Sequence, residues 1–112
     1  MPLYMFQGGY TSETWARLAQ TPEDREAAVR AFTEGNGGKL IGLWFAFGAD
    51  DFVAIAELPD NITAGAIAVA VAGTGGYRAF RTTLLVTAQE AMEIMRRAGQ
   101  VGFRPAGAQQ SG

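Results

Sequence analysis

The sequence predicts an α+β domain in which one antiparallel sheet carries helices on a single face. Three observations point there. Runs with strand-like alternation recur along the chain, capped helical segments separate them, and the two central strands follow each other across a turn too short for a parallel crossover. The chain has 112 residues, enough for one domain. Its composition is 48% hydrophobic and 18% charged, against about 25% charged in an ordinary soluble domain. A core of this size cannot absorb that much apolar material. The excess is expected in a subunit interface or an apolar cavity.

Leu3, Met5 and Gln7 alternate with Tyr4, Phe6 and Gly8, which predicts a first strand over residues 2–9. Thr11, Ser12 and Glu13 offer capping groups for a short helix carrying Trp15 and Leu18. A second helix is expected to start at Thr21, with Pro22 in its first position and Glu23 and Asp24 against the positive end of the dipole. Its stripe is Ala28, Val29 and Phe32, Glu26 and Arg30 form an i,i+4 pair, and the glycines from Gly35 to Gly38 stop it.

Residues 39–47, KLIGLWFAF, are apolar on both alternating sets, Ile41, Leu43, Phe45 and Phe47 on one and Leu40, Trp44 and Ala46 on the other. Such a strand is covered on both faces. Gly48, Ala49 and Asp50 turn the chain, and residues 52–58 return as a second two-sided strand interrupted by the charge of Glu57.

After Pro59 the alternation of Ile67, Val69 and Val71 with alanines suits a buried strand as well as a helix. Asp60 as a cap, a face of Ile62, Ala66, Val69 and Gly73, and the glycine stop at 73–76 favour the helix. Residues 77–86 then alternate as a strand, with Phe80, Leu84 and Val86 on one side and Tyr77, Arg81 and Leu85 on the other. Thr87 and Glu90 form a capping box for a last helix with the stripe Ala91, Ile94, Met95 and Ala98. The domain is expected to span residues 1–98, with 99–112 as a flexible Gly-, Ala- and Gln-rich tail.

The order strand, helix, strand, strand, helix, strand is the ferredoxin-like βαββαβ pattern, followed here by a C-terminal helix. Several residues at their particular spacing add to it: Tyr10-Thr11, Gly37-Gly38-Lys39-Leu40, Gly48-x-x-Asp51, Glu57-x-Pro59-Asp60 and Thr82. Together they resemble the GYD domain family over about residues 3–97. The resemblance departs at Asp50, where the family turn carries tyrosine, and at Leu84, in the neighbourhood of a usual arginine. It implies a ferredoxin-like domain that forms a dimeric α/β barrel by sheet-to-sheet packing. It names no reaction.

Composition narrows the chemistry further. There is no cysteine and no histidine, which excludes disulfides, thiol nucleophiles, Cys/His zinc sites and histidine-based triads. The net charge of −2 and the isoelectric point near 5.0 oppose a nucleic-acid footprint. Residues 1–10 lack the pattern of a signal peptide, and the Ala-rich stretch 62–72 is too short for a membrane span. A cytoplasmic protein with no membrane or nucleic-acid partner and no cofactor is expected.

Gly73-Thr74-Gly75-Gly76 closes a helix and opens a strand, the reverse of a phosphate loop, so it reads as a helix stop. Asp50, Asp51 and Asp60 lack the alternation of a calcium loop and read as a turn and a cap. Met5, Met92 and Met95 read as core filling. Glu57 and Arg81 stand out as lone charges in apolar strands. On the helix-free face they would border a cleft between two sheets, with Trp44 or Tyr4 as walls. They would there orient a small apolar or amphipathic ligand, or else form a salt bridge across strands or subunits.

The leading expectation is therefore a homodimeric binding or accessory module with Tyr4, Trp44, Glu57 and Arg81 as candidate ligand-binding residues. The alternative is a cofactor-independent oxygenase or isomerase using the same cleft, with Glu57 as acid/base and Arg81 stabilising negative charge. Larger closed assemblies follow if exposed strand edges also pair.

Overall fold

A computed structural model of the chain describes residues 1–107. The elements run β1 (Leu3–Tyr10), α1 (Ser12–Gln20), α2 (Arg25–Gly35), β2 (Lys39–Phe45), β3 (Phe52–Glu57), α3 (Asn61–Ala72), β4 (Tyr77–Leu85) and α4 (Ala88–Ala98). The strands form one sheet in the order β2-β3-β1-β4, every pair antiparallel. This is the ferredoxin-like arrangement, in which the crossovers through α1–α2 and α3 lie on one face. The structure places residues 99–107 after the last helix, without regular structure, and the rest of the expected tail lies outside the described residues.

Capping side chains fix the helix starts. Thr11, Asp24, Asp60 and Thr87 each accept a hydrogen bond from the backbone N–H three residues on, satisfying donors that have no partner inside the helix. The capping box of Thr87 and Glu90 is complete in both directions. The second helix begins later than Pro22, because the Asp24 carboxylate takes the Ala27 N–H at 3.1 Å and sets Arg25 as the first helical residue.

The helix-covered face of the sheet carries the core. Tyr4 and Phe6 of β1, Leu40 of β2 and Ala54 and Ala56 of β3 pack with Leu58 and with Ala64 and Ile67 of α3. Leu40 and Leu58 are completely buried. On α3 the inward stripe is Ala64, Ile67 and Val71, not the expected face of Ile62 and Val69, which are 82% and 75% exposed. A helix apolar all round carries no polar face to show which side turns inward.

Two irregularities reassign side chains between faces. A register shift between Leu40 and Gly42 puts Ile41 outside the ladder, so Leu40 and Leu43 both meet the core although they belong to opposite alternating sets. A second shift between Gly9 and Tyr10 pairs Tyr10 with Tyr77. Tyr77 is thereby brought to the same side as Phe80 rather than that of Arg81, and its ring stands 5.7 Å from that of Phe80. Gly8 lies against β4 so closely that a Cβ would meet the Ala79 carbonyl oxygen at 2.1 Å.

α4 extends away from the rest. None of its residues is buried, and the radius of gyration is 18.6 Å, against about 13 Å for a compact domain of this length. Met95 on its stripe and Met92 beside it are both exposed, so they do not fill this chain's core.

Candidate functional site

The two faces of the sheet present different surfaces. On the helix-free face, the register aligns Trp44, Val53, Gln7 and Arg81 in one row across the four strands. Lys39, Glu57, Leu3 and Leu85 form a second row at the far end of β1. Between them lies a row of Gly42, Ile55, Met5 and Thr83. The Trp44 ring folds along its own strand over Gly42, where a Cβ would come within 2.6 Å of it. The charged residues therefore sit at the ends of an apolar band.

Trp44, Glu57 and Arg81 thus share one face, and Tyr4 lies on the other. The Tyr4 ring is buried in the core and its hydroxyl donates to Asn61 Oδ1 at 2.5 Å. Glu57 and Arg81 are four residues apart along β1, about 13 Å, and on strands that flank it on opposite sides. The register therefore does not bring the two side by side within one chain. Arg81 instead forms an ion pair with Asp50 of the β2–β3 turn, at 2.5 Å, so the turn holds the side chain of Arg81.

Its neighbour Asp51 ties three elements together. Asp51 Oδ2 accepts from the Tyr10 backbone N–H at 2.9 Å and from Trp15 Nε1 at 3.1 Å, while Oδ1 accepts from Arg78 at 3.2 Å. Burial raises its pKa, but these hydrogen bonds outweigh it and hold the carboxyl below its ordinary value.

The helix-covered face holds a cavity of about 930 Å³ between the sheet and the helices, within the size range of small-molecule sites. It exists because α2 rests on β2 and α3 on β4, leaving the middle strands roofed only in part, and because Ala54 and Ala56 supply a low floor. Its walls include Phe6, Phe52, Tyr77 and Phe80. Tyr10 stands at the centre of this aromatic group, with ring centroids 5.2 Å from Tyr77 and 5.4 Å from Phe52.

Charges line the cavity only at one end, where Arg17, Glu23 and Arg25 come from α1, the link and α2. Arg25 donates to Glu23 at 3.1 Å and interacts with the Tyr10 hydroxyl. Burial, reinforced by Tyr77, raises the Tyr10 pKa above the ordinary tyrosine value despite the opposing effect of Arg25, so the phenol is neutral at pH 7. Tyr10, Tyr77 and Arg25 were not among the candidate site residues read from sequence. The signal available was Gly8-Gly9 inside a strand, a pair that marks a bulge.

A family model described as GYD domain matches residues 4–95. The chain belongs to the GYD domain family. No curated protein matches it. Among solved structures it is similar to the crystal structure of MtbAldR (Rv2779c), with a TM-score of 0.53 and 17% identity, over 77% of this GYD chain and 53% of that one. The chain thus spans about half the length of that protein, and the likeness is one of fold. Among the described residues no group of three or more Asp or Glu could hold a metal ion, and no helix is long and apolar enough to cross a membrane.

Proposed function

We propose that this GYD domain works as a homo-oligomeric binding module: two copies pack the helix-free faces of their sheets together, and each holds a small ligand in its helix-side cavity. The observation that carries the assembly is the apolar band on that face. Met5, Val53, Ile55, Leu3 and Leu85 lie side by side there, and among the described residues no helix packs over them. Covering such a band removes apolar area from water at about 25 cal/mol per Å², and an isologous two-fold contact covers both copies at once. Arg81 and Glu57 at the two ends would border the cleft beside Trp44, leaving the centre free of charge.

The enzymatic alternative would need Glu57 of one copy and Arg81 of another at one site, because the register separates them within a chain. The binding reading needs no such meeting, since the cavity walls come from a single chain.

The absence of cysteine makes a site-specific test direct. Met5→Cys, treated with a short bis-maleimide, is expected to give a covalent dimer, while Val69→Cys on the exposed side of α3 stays monomeric in a denaturing gel. Cross-linking through Val69→Cys and none through Met5→Cys would overturn the sheet-face contact.

A further inference from the structure

The helix-side cavity has an asymmetry that specifies a class of ligand. Its interior presents mainly aromatic and aliphatic side chains, and two of its threonines are already committed. Thr33 Oγ1 donates to the Val29 carbonyl at 2.7 Å, and Thr14 Oγ1 donates to the Gly76 carbonyl at 2.9 Å. A ligand with polar atoms along its body would lose water there without gaining hydrogen bonds, a cost of about 1–3 kcal/mol for each group. The body must therefore be apolar.

The charged end has the opposite character. Arg17 and Arg25 outnumber Glu23 among the lining residues. Arg25 reaches the cavity beside Tyr10, and among the described residues it pairs with Glu23, whose side chain is 52% exposed. A carboxylate arriving from the cavity can take the place of Glu23 on the guanidinium, and Glu23 returns to water. An exposed pair of this kind contributes little by itself, so the exchange is not opposed by a strong bond.

We propose that the cavity binds an amphipathic carboxylate, its apolar body against Phe6, Phe52 and Phe80 and its anionic end on Arg25 beside the Tyr10 hydroxyl. This rests on the cavity being the binding site and adds the charge of the ligand to it. The other candidate occupant is α4 of a second copy. The charges of that helix balance, Glu90 and Glu93 against Arg96 and Arg97, so it offers no net negative charge to the cationic end of the cavity.

Titration of the full chain with decanoate, 1-decanol and decyltrimethylammonium, followed by calorimetry and by methyl NMR, tests this. Decanoate is expected to bind one per chain, to shift the methyl signals of Ala54, Ala56 and Ile67, and to bind at least tenfold more tightly than the cation. Arg25→Gln should weaken decanoate about tenfold and change 1-decanol less than twofold. Equal binding of all three, unaffected by Arg25→Gln, would overturn the anionic end while leaving an apolar site. Shifts confined to Met5 and Ile55, or no binding of any probe, would overturn the site itself. Binding seen only in Met95→Glu would mean that a helix from another copy fills the cavity, and would overturn the proposal as well.

Discussion

Asp51 shows how much structure one carboxylate can hold when its donors come from different parts of the chain. It receives the Tyr10 N–H of β1, the Trp15 indole of α1 and the Arg78 guanidinium of β4. Asp51→Asn keeps the size and loses the charge, and is expected to lower stability by about 2 kcal/mol, since hydrogen bonds to charged groups contribute more than neutral ones. Because the folded carboxyl titrates below its ordinary value, its stabilisation is fully present above the unfolded pKa and is lost as pH falls through the folded one. Urea titrations from pH 7 down to pH 3 should therefore show a shallower acid loss for Asp51→Asn than for the unsubstituted chain. Parallel acid limbs would contradict the assignment. From sequence, Asp51 was legible as a turn residue but not as a tie between elements. The turn position follows from local spacing, whereas the three donors meet only when the sheet is assembled. Arg81 was legible as a charge in an apolar strand; its partner Asp50 lies across a long separation in sequence and was not.

At the scale of elements, the glycine stops and every cap except Asp24 proved readable, while the faces of apolar segments did not. Asp60 and Thr87 act where their spacing places them, because a cap is a contact over three residues. The orientation of α3 instead depends on which side the sheet offers, and its all-apolar surface gives both sides equal claim. The structure chooses Ala64, Ile67 and Val71. Ile67→Ala is accordingly expected to cost about 2–4 kcal/mol through lost burial and a residual cavity, and Ile62→Ala less than about 0.5 kcal/mol as a surface change. Thermal or urea unfolding in which Ile62→Ala is the more damaging would reverse the helix. The strands carry a similar lesson. The bulge at Ile41 brings Leu40 and Leu43 to one face, and the shift at Gly9 and Tyr10 brings Tyr77 into the aromatic group around Tyr10. A one-residue slip inverts every later side chain, so the alternation read from sequence left the face of Trp44 open and grouped Tyr77 with Arg81 on the wrong side.

The whole molecule returns to the imbalance of its composition, 48% hydrophobic against 18% charged residues. The structure locates the excess in three places: the helix-free face of the sheet, the outer side of α3 with Ile62 and Val69, and the stripe of α4 with Ile94 and Met95. The fold itself was legible because the order of elements and the glycine-marked turns are local features, and the family match spans most of the chain. The helix-side cavity was not, since it arises from the separation of α2 and α3 over a floor of alanines. A chain built this way should not remain single in solution. Light scattering of the full protein at micromolar concentration tests that most directly. The account predicts a mass of at least twice 11.9 kDa; a mass equal to one chain would contradict it.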